Sequence, residues 1–279
     1  MIKRSILFAT LFAGGIVHAQ KLPQPSPKGE VKQLVGLTTV KVEYSRPSAR
    51  GRKVFGDLVP FGSVWRTGAN LNTIVEFDGP VVFEGQKVEA GKYSLFTIPN
   101  EGAWAIILNK NIELWGEGDR KPEEDVLQVK VPVAKCDLTE TFTIGFADVK
   151  DDKALLELRW EHTMVQVNIT ADATEQALAN IKEAVNKEGA NAATYHRCAR
   201  YCVDKGIMLP EALAWAQKSV SMEQKYWSVY TLALCQAANG KYKEAVATAN
   251  QSMELAQKEG DKNYVKMNKE RIDEWMQKK

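Results

Sequence analysis

The chain has 279 residues, 37 Lys+Arg against 35 Asp+Glu, 44% hydrophobic side chains and 26% charged ones. These are the proportions of a globular protein, so whole-chain disorder and a collagen-like rod are excluded, and the length fits one large domain or two of ordinary size. Without Lys3 and Arg4, 35 side chains of each sign remain (37 − 2 against 35), so no general attraction to nucleic acid or acidic lipid is expected.

Taken in chain order, residues 1–19 read as an export signal. Lys3 and Arg4 start it, Ile6 to Val17 is a short apolar run, and Val17-His18-Ala19 supplies small residues before a cut. The run is too short for a stable span, and no later stretch reaches spanning length, so no membrane span is expected after signal removal. The implied location is periplasmic or secreted. No Cys lies near the cut to carry a lipid. Residues 20–30 hold Pro23, Pro25 and Pro27, an extended leader read as a linker.

From residue 31 to 170 the apolar period is two. Val40, Val42 and Tyr44 alternate with Lys41 and Glu43, and Val81 and Phe83 precede a Gly85-Gln86 turn. Residues 93–98 and 104–108 are strand-length apolar runs. Residues 129–133, 142–146, 156–160 and 165–169 alternate again, with a break at Asp151-Asp152. About nine short strands with turns between them predict an antiparallel β-sandwich or barrel, each strand with one wet face.

From residue 171 to 279 the period is helical. Six helices are predicted, near 173–188, 191–204, 209–222, 225–238, 241–258 and 261–277. Gly189, Gly206, Gly240 and Gly260 mark four of the breaks, and Asp261 is placed to cap the last helix. The fold class is therefore α+β with strands and helices segregated. Glu211-Ala212-Leu213 recurs as Glu244-Ala245-Val246 33 residues on, each preceded by a glycine, Gly206 or Gly240. With Leu232-Ala233 and Gly240-Lys241-Tyr242-Lys243-Glu244-Ala245, this resembles the tetratricopeptide pattern over about residues 191–258. The resemblance implies stacked hairpins and a surface for a protein or peptide partner. One residue is inserted before Pro210, and the usual late proline is missing.

The densest chemistry lies between the opening strands. Residues 46–66 carry five cations, Arg46, Arg50, Arg52, Lys53 and Arg66, against the single acid Asp57. Arg46, Arg52 and Arg66 could converge on a small anion, because guanidinium forks match carboxylate and phosphate. Thr67, Gly68 and Asn70 could add a hydroxyl, close backbone approach and an amide. Alternatively, Asp57 and backbone carbonyls absorb these cations, and the loop is a plug over the sheet. The run Gly51-Arg52 through Val54-Phe55-Gly56 and Leu58-Val59-Pro60-Phe61-Gly62 to Val64-Trp65-Arg66-Thr67-Gly68-Ala69-Asn70, with the later Ala90-Gly91-Lys92-Tyr93-Ser94-Leu95-Phe96-Thr97-Ile98-Pro99, resembles the signatures of a bacterial domain-of-unknown-function family, number 2911. The resemblance covers about residues 31–169 and implies an exported β-rich domain. It supplies no activity or catalytic residues. Leu71 stands where the family often carries an acid, which argues against an acid-dependent reaction there.

Other chemistry is sparse. Trp65, Trp104, Trp115 and Trp160 are read mostly as core, with Trp115 the one expected to be exposed. There is no His-Glu-x-x-His, no Gly-x-Ser-x-Gly and no phosphate loop, so neither a metal nor a cofactor is assigned. Cys136, Cys198, Cys202 and Cys235 allow three pairings, yet a chain this long needs no staples, and buried thiols are favoured. The favoured function is binding or scaffolding in the cell envelope, with Arg46, Arg52, Arg66, Thr67 and Asn70 as the ligand-binding set. The alternative is a hydrolase acting on an anionic or glycan substrate at the same loop. Asp57 with Glu76 could serve it only if the fold brought them together.

Overall fold

The computed structural model describes residues 22–278; the segment read as an export signal lies outside them. The described residues form two compact units, divided between Ala173 and Thr174.

The first unit is one nine-stranded antiparallel sheet in the order β1-β2-β3-β6-β7-β8-β9-β4-β5. Its strands are β1 (Lys28–Val35), β2 (Thr38–Ser45), β3 (Thr73–Phe77), β4 (Val81–Phe83), β5 (Gln86–Val88), β6 (Gly91–Ile98), β7 (Ala103–Asn109), β8 (Asp125–Lys150) and β9 (Lys153–Thr170). Alternation works as expected in β2 and β3, where Val40, Val42, Val75 and Phe77 are buried and their neighbours are half-buried. Strand β1 begins at Lys28, inside the segment read as linker, because Lys28 pairs with Ser45 and Gly29 with Tyr44. Strands β6 and β7 depart from the one-wet-face expectation. Phe96, Ile107 and Leu114 form a small second cluster, so both faces are covered and the two strands read as continuous apolar runs.

Four predicted strands merge into two. Residues 129–133 and 142–146 both belong to β8, and residues 156–160 and 165–169 to β9. The β8/β9 register shifts between Lys135 and Thr139 and again before Thr143, and Glu161 sits at φ 50°. Such irregularities bend a strand pair. The bend is large: Gln166 Nε2 donates to Glu157 Oε1 at 2.6 Å, although the two lie nine residues apart on one strand. Fully extended, nine residues would span about 30 Å. The curl brings β8 back to the segment that follows β2. Phe142 N donates to Pro47 O at 2.8 Å, and Ala49 N donates to Glu140 O at 2.8 Å. The enclosed core is aromatic in its centre. Trp65 stacks on Trp160 with centroids 5.8 Å apart, and Phe55 meets Trp104 edge-on at 4.8 Å.

The second unit holds α1 (Thr174–Asn186), α2 (Ala192–Lys205), α3 (Leu209–Met222), α4 (Tyr226–Ala238), α5 (Tyr242–Glu259) and α6 (Lys262–Trp275). Gly206 (φ 67°) and Gly260 (φ 78°) end α2 and α5 in the left-handed conformation. Asn191 caps α2, and Asp261 caps α6 by accepting from the backbone N–H of Asn263 and Tyr264. The 33-residue offset reappears in the packing. Ala212 and Ala245 are both fully buried. Ser219 Oγ donates to Ala192 O, and Ser252 Oγ, 33 residues later, donates to Tyr226 O, each at the first residue of a preceding helix. All four cysteines are free; Cys198, Cys202 and Cys235 are buried in this unit and Cys136 is half-buried in β8. Among the described residues no helix is long and apolar enough to cross a membrane.

Candidate functional site

The connection from Ser45 to Thr73 is ordered by its own turns and by one addition to the sheet. Trp65 exchanges both backbone hydrogen bonds with Thr97 of β6, at 2.7 and 2.9 Å. This drops the Trp65 ring into the core, where its Nε1 donates to Gly68 O at 3.0 Å. Gly56 (φ 87°) carries the Phe61 ring where a Cβ would stand. Thr67 (φ 55°) and Asn70 (φ 60°) are left-handed non-glycine residues, a costly conformation for a β-branched side chain. Hydrogen bonds hold it. Thr73 Oγ1 donates to Thr67 O at 2.6 Å, and Thr67 Oγ1 lies 3.2 Å from Thr97 Oγ1.

The signature arginines have different fates. Arg46 is drawn to β8, where Nε donates to Phe142 O at 3.2 Å and Nη2 to Thr143 Oγ1 at 2.8 Å. It clips β2 to β8 and does not line the cleft described below. Arg52 folds back on its own turn, with Nε donating to Ala49 O at 2.9 Å and Nη2 to Ser48 O at 2.8 Å. Neither acceptor is charged. Arg66 ties two loops together. Its Nε pairs with Glu117 Oε2 at 3.1 Å, and its Nη1 donates to Asn70 O at 2.8 Å and reaches Trp115 O at 3.4 Å. Gly116 lies flat against the guanidinium: a Cβ there would stand 2.5 Å from Arg66 Cζ. Asp57 makes no ion pair among the described residues, so backbone carbonyls, the Thr143 hydroxyl and Glu117 take these cations.

Between these groups lies a cleft of about 410 Å³, the size of a small-molecule site. Arg52, Arg66, Asn70 and Glu117 line it, with Leu58, Val59 and Pro60 as an apolar wall. Trp65 and Trp160 reach it but are only 8% and 2% exposed, so they offer little ring surface. Of the five residues read from the sequence, the fold gathers Arg52, Arg66 and Asn70. Thr67 is fully buried beneath, and Arg46 is held by β8. Trp115 is 69% exposed, as expected, but does not line the cleft. Asn70 Nδ2 donates to Ser26 O and Ser45 Oγ, which fixes one rim.

Glu117 is the residue that sequence reasoning missed. It lies far along the chain from Arg66, in a Gly-rich turn with no motif. A buried polar seam beneath the loop was also not read. Asn72 donates to Ser94, Ser94 to Asn111 O, and Asn109 to Asp125, which pairs with Arg120. The seam anchors the turn that presents Glu117.

Away from the cleft the chemistry is quiet. Glu76 pairs with Lys92 at 3.6 Å, and no hydrogen bond joins it to Asp57 among the described residues. His196 Nε2 lies 3.1 Å from Thr231 Oγ1, and burial holds its pKa below the ordinary value. Among the described residues no group of three His, Cys, Asp or Glu side chains could hold a metal ion.

The fold and cleft define a segregated α+β protein whose β unit presents a long, ordered, arginine-bearing connection. The sequence model of the family described as a protein of unknown function, DUF2911, matches residues 26–169, more than half of the chain, and the chain belongs to that family. No curated protein and no solved structure matches.

Proposed function

We propose that this is an exported cell-envelope binding protein whose β unit holds a small anion at Arg52. The observation that carries the reading is the inequality of the two cleft arginines. Arg66 is neutralised by Glu117, whereas Arg52 has only carbonyl partners. Those carbonyls fix the guanidinium without cancelling its charge, and Nη1 is left without a protein acceptor among the described residues. A preorganised, uncompensated guanidinium on an apolar wall is suited to an incoming anion. The N-terminal signal pattern supports export, to the periplasm or beyond.

Helices α2 to α5 are read as two tetratricopeptide-like hairpins, a scaffold for a protein or peptide partner. The paired Ser219 and Ser252 bonds and the buried Ala212 and Ala245 support the repeat. Arg200, Arg271 and Lys278 line a depression of about 440 Å³ on this unit. Of its aromatic members Tyr230 and Trp275 are buried and Tyr242 is half-buried, so a partner would meet charge and the Tyr242 ring.

The hydrolase reading has less support. Two-carboxylate chemistry needs a second acid, and Glu117 is the one carboxylate lining the cleft among the described residues. The test is thermal unfolding of the whole protein with acetate, phosphate and longer carboxylates. Carboxylates should raise the midpoint, and Arg52→Met should remove the rise. No rise with any anion would refute the reading.

A further inference from the structure

Resting on the anion-binding reading above, we infer that the ligand of this cleft is zwitterionic: a free amino acid or a short unmodified peptide, with its carboxylate on Arg52 and its ammonium on Glu117.

The cleft lining carries charge of both signs, each held by its own partners. Arg52 is held on the Ser48–Ala49 side, and Glu117 is held on the side of Arg66 and Asn70. Glu117 gives Oε2 to Arg66 and keeps Oε1 without a protein donor among the described residues. Its side chain is 41% exposed. Ser63 adds a hydroxyl with no protein partner among those described. The charged lining is Arg52, Arg66 and Glu117, a net charge of +1.

This set discriminates against other anions. A phosphate or dicarboxylate would bring two negative charges to a lining whose net charge is +1. A glycan would want an exposed aromatic face, and the two tryptophans are almost wholly buried; Trp115, the exposed ring, lies off the cleft. The apolar lining of Leu58, Val59 and Pro60 instead suits an aliphatic side chain. A volume of about 410 Å³ admits a two-residue peptide.

The test titrates three alanyl-alanine probes that differ at their ends into the full chain by calorimetry. Alanyl-alanine has both charges, N-acetyl-alanyl-alanine only the carboxylate, and alanyl-alanine amide only the ammonium. Alanyl-alanine should bind at least about tenfold more tightly than the acetylated probe, and the amide should not bind measurably. Glu117→Gln should erase the difference between the first two, with its thermal unfolding recorded to show that it folds. Arg52→Met should abolish binding of both. Should the acetylated probe bind as well as alanyl-alanine, the zwitterion is wrong while the anion site stands. Should neither carboxylate peptide bind, the anion reading itself falls. Because the probe series is run on the unaltered protein, the outcome does not depend on any variant folding.

Discussion

At the residue scale, identical side chains acquire different work from the acceptors within reach. Arg46 becomes a strand clip, Arg66 a loop clamp and Arg52 a presented charge, although all three stand in one Gly- and Pro-rich stretch. Gly116 is the partner that makes the Arg66 clamp possible. At φ 114° it occupies a region L side chains rarely adopt, and its missing Cβ is the space the guanidinium fills. Gly116→Ala should destabilise the protein by about 1–3 kcal/mol in denaturant unfolding; an unchanged midpoint would show that the clamp is slack. The thiols give a second residue-scale prediction. Burial pushes Cys202 up to about 11 and Cys235 up to about 12, and it raises Cys198 in the same direction. A thiol reagent at neutral pH should therefore label Cys136 quickly and the other three only on unfolding. Rapid labelling of all four in the native state would contradict their burial.

At the element scale, caps and bends decide what could be read in advance. The helices were legible because glycines mark most of their breaks and Asp261 starts the last of them. Asp261 also makes a pH prediction. Backbone N–H donation from Tyr264, and then the hydroxyl of Tyr226, hold its carboxyl below the ordinary value of 3.8. A depressed folded-state pKa contributes stability that is present above the unfolded value and is lost as pH falls through the folded one. Exchange of the Asn263 and Tyr264 amides should thus quicken as pH drops below about 4, after correction for intrinsic rates, and Asp261→Asn should flatten that dependence. The long strands were less legible. Alternation lapses where β8 and β9 bend around residues 135–143 and Glu161, so each read as two strands. Strands β6 and β7 lacked alternation because Leu114 and Phe96 cover their outer face.

At the scale of the whole molecule, the division into a β unit and a helical unit follows from a change of period near residue 173. The arginine-bearing connection was legible as a region of interest because of its composition. Its cleft was not, since Arg52, Arg66 and Glu117 meet only after the sheet curls and Trp65 docks on β6. The same folding removes Arg46 and Thr67 from the set. The site therefore rests on long-range backbone pairing more than on any local motif. The most direct measurement is a calorimetric titration of N-acetyl-alanyl-alanine into the full chain and into Arg52→Met. The account predicts saturable one-to-one binding to the first and no measurable binding to the second, whose cooperative thermal unfolding shows that it folds. Equal binding by both proteins would contradict it.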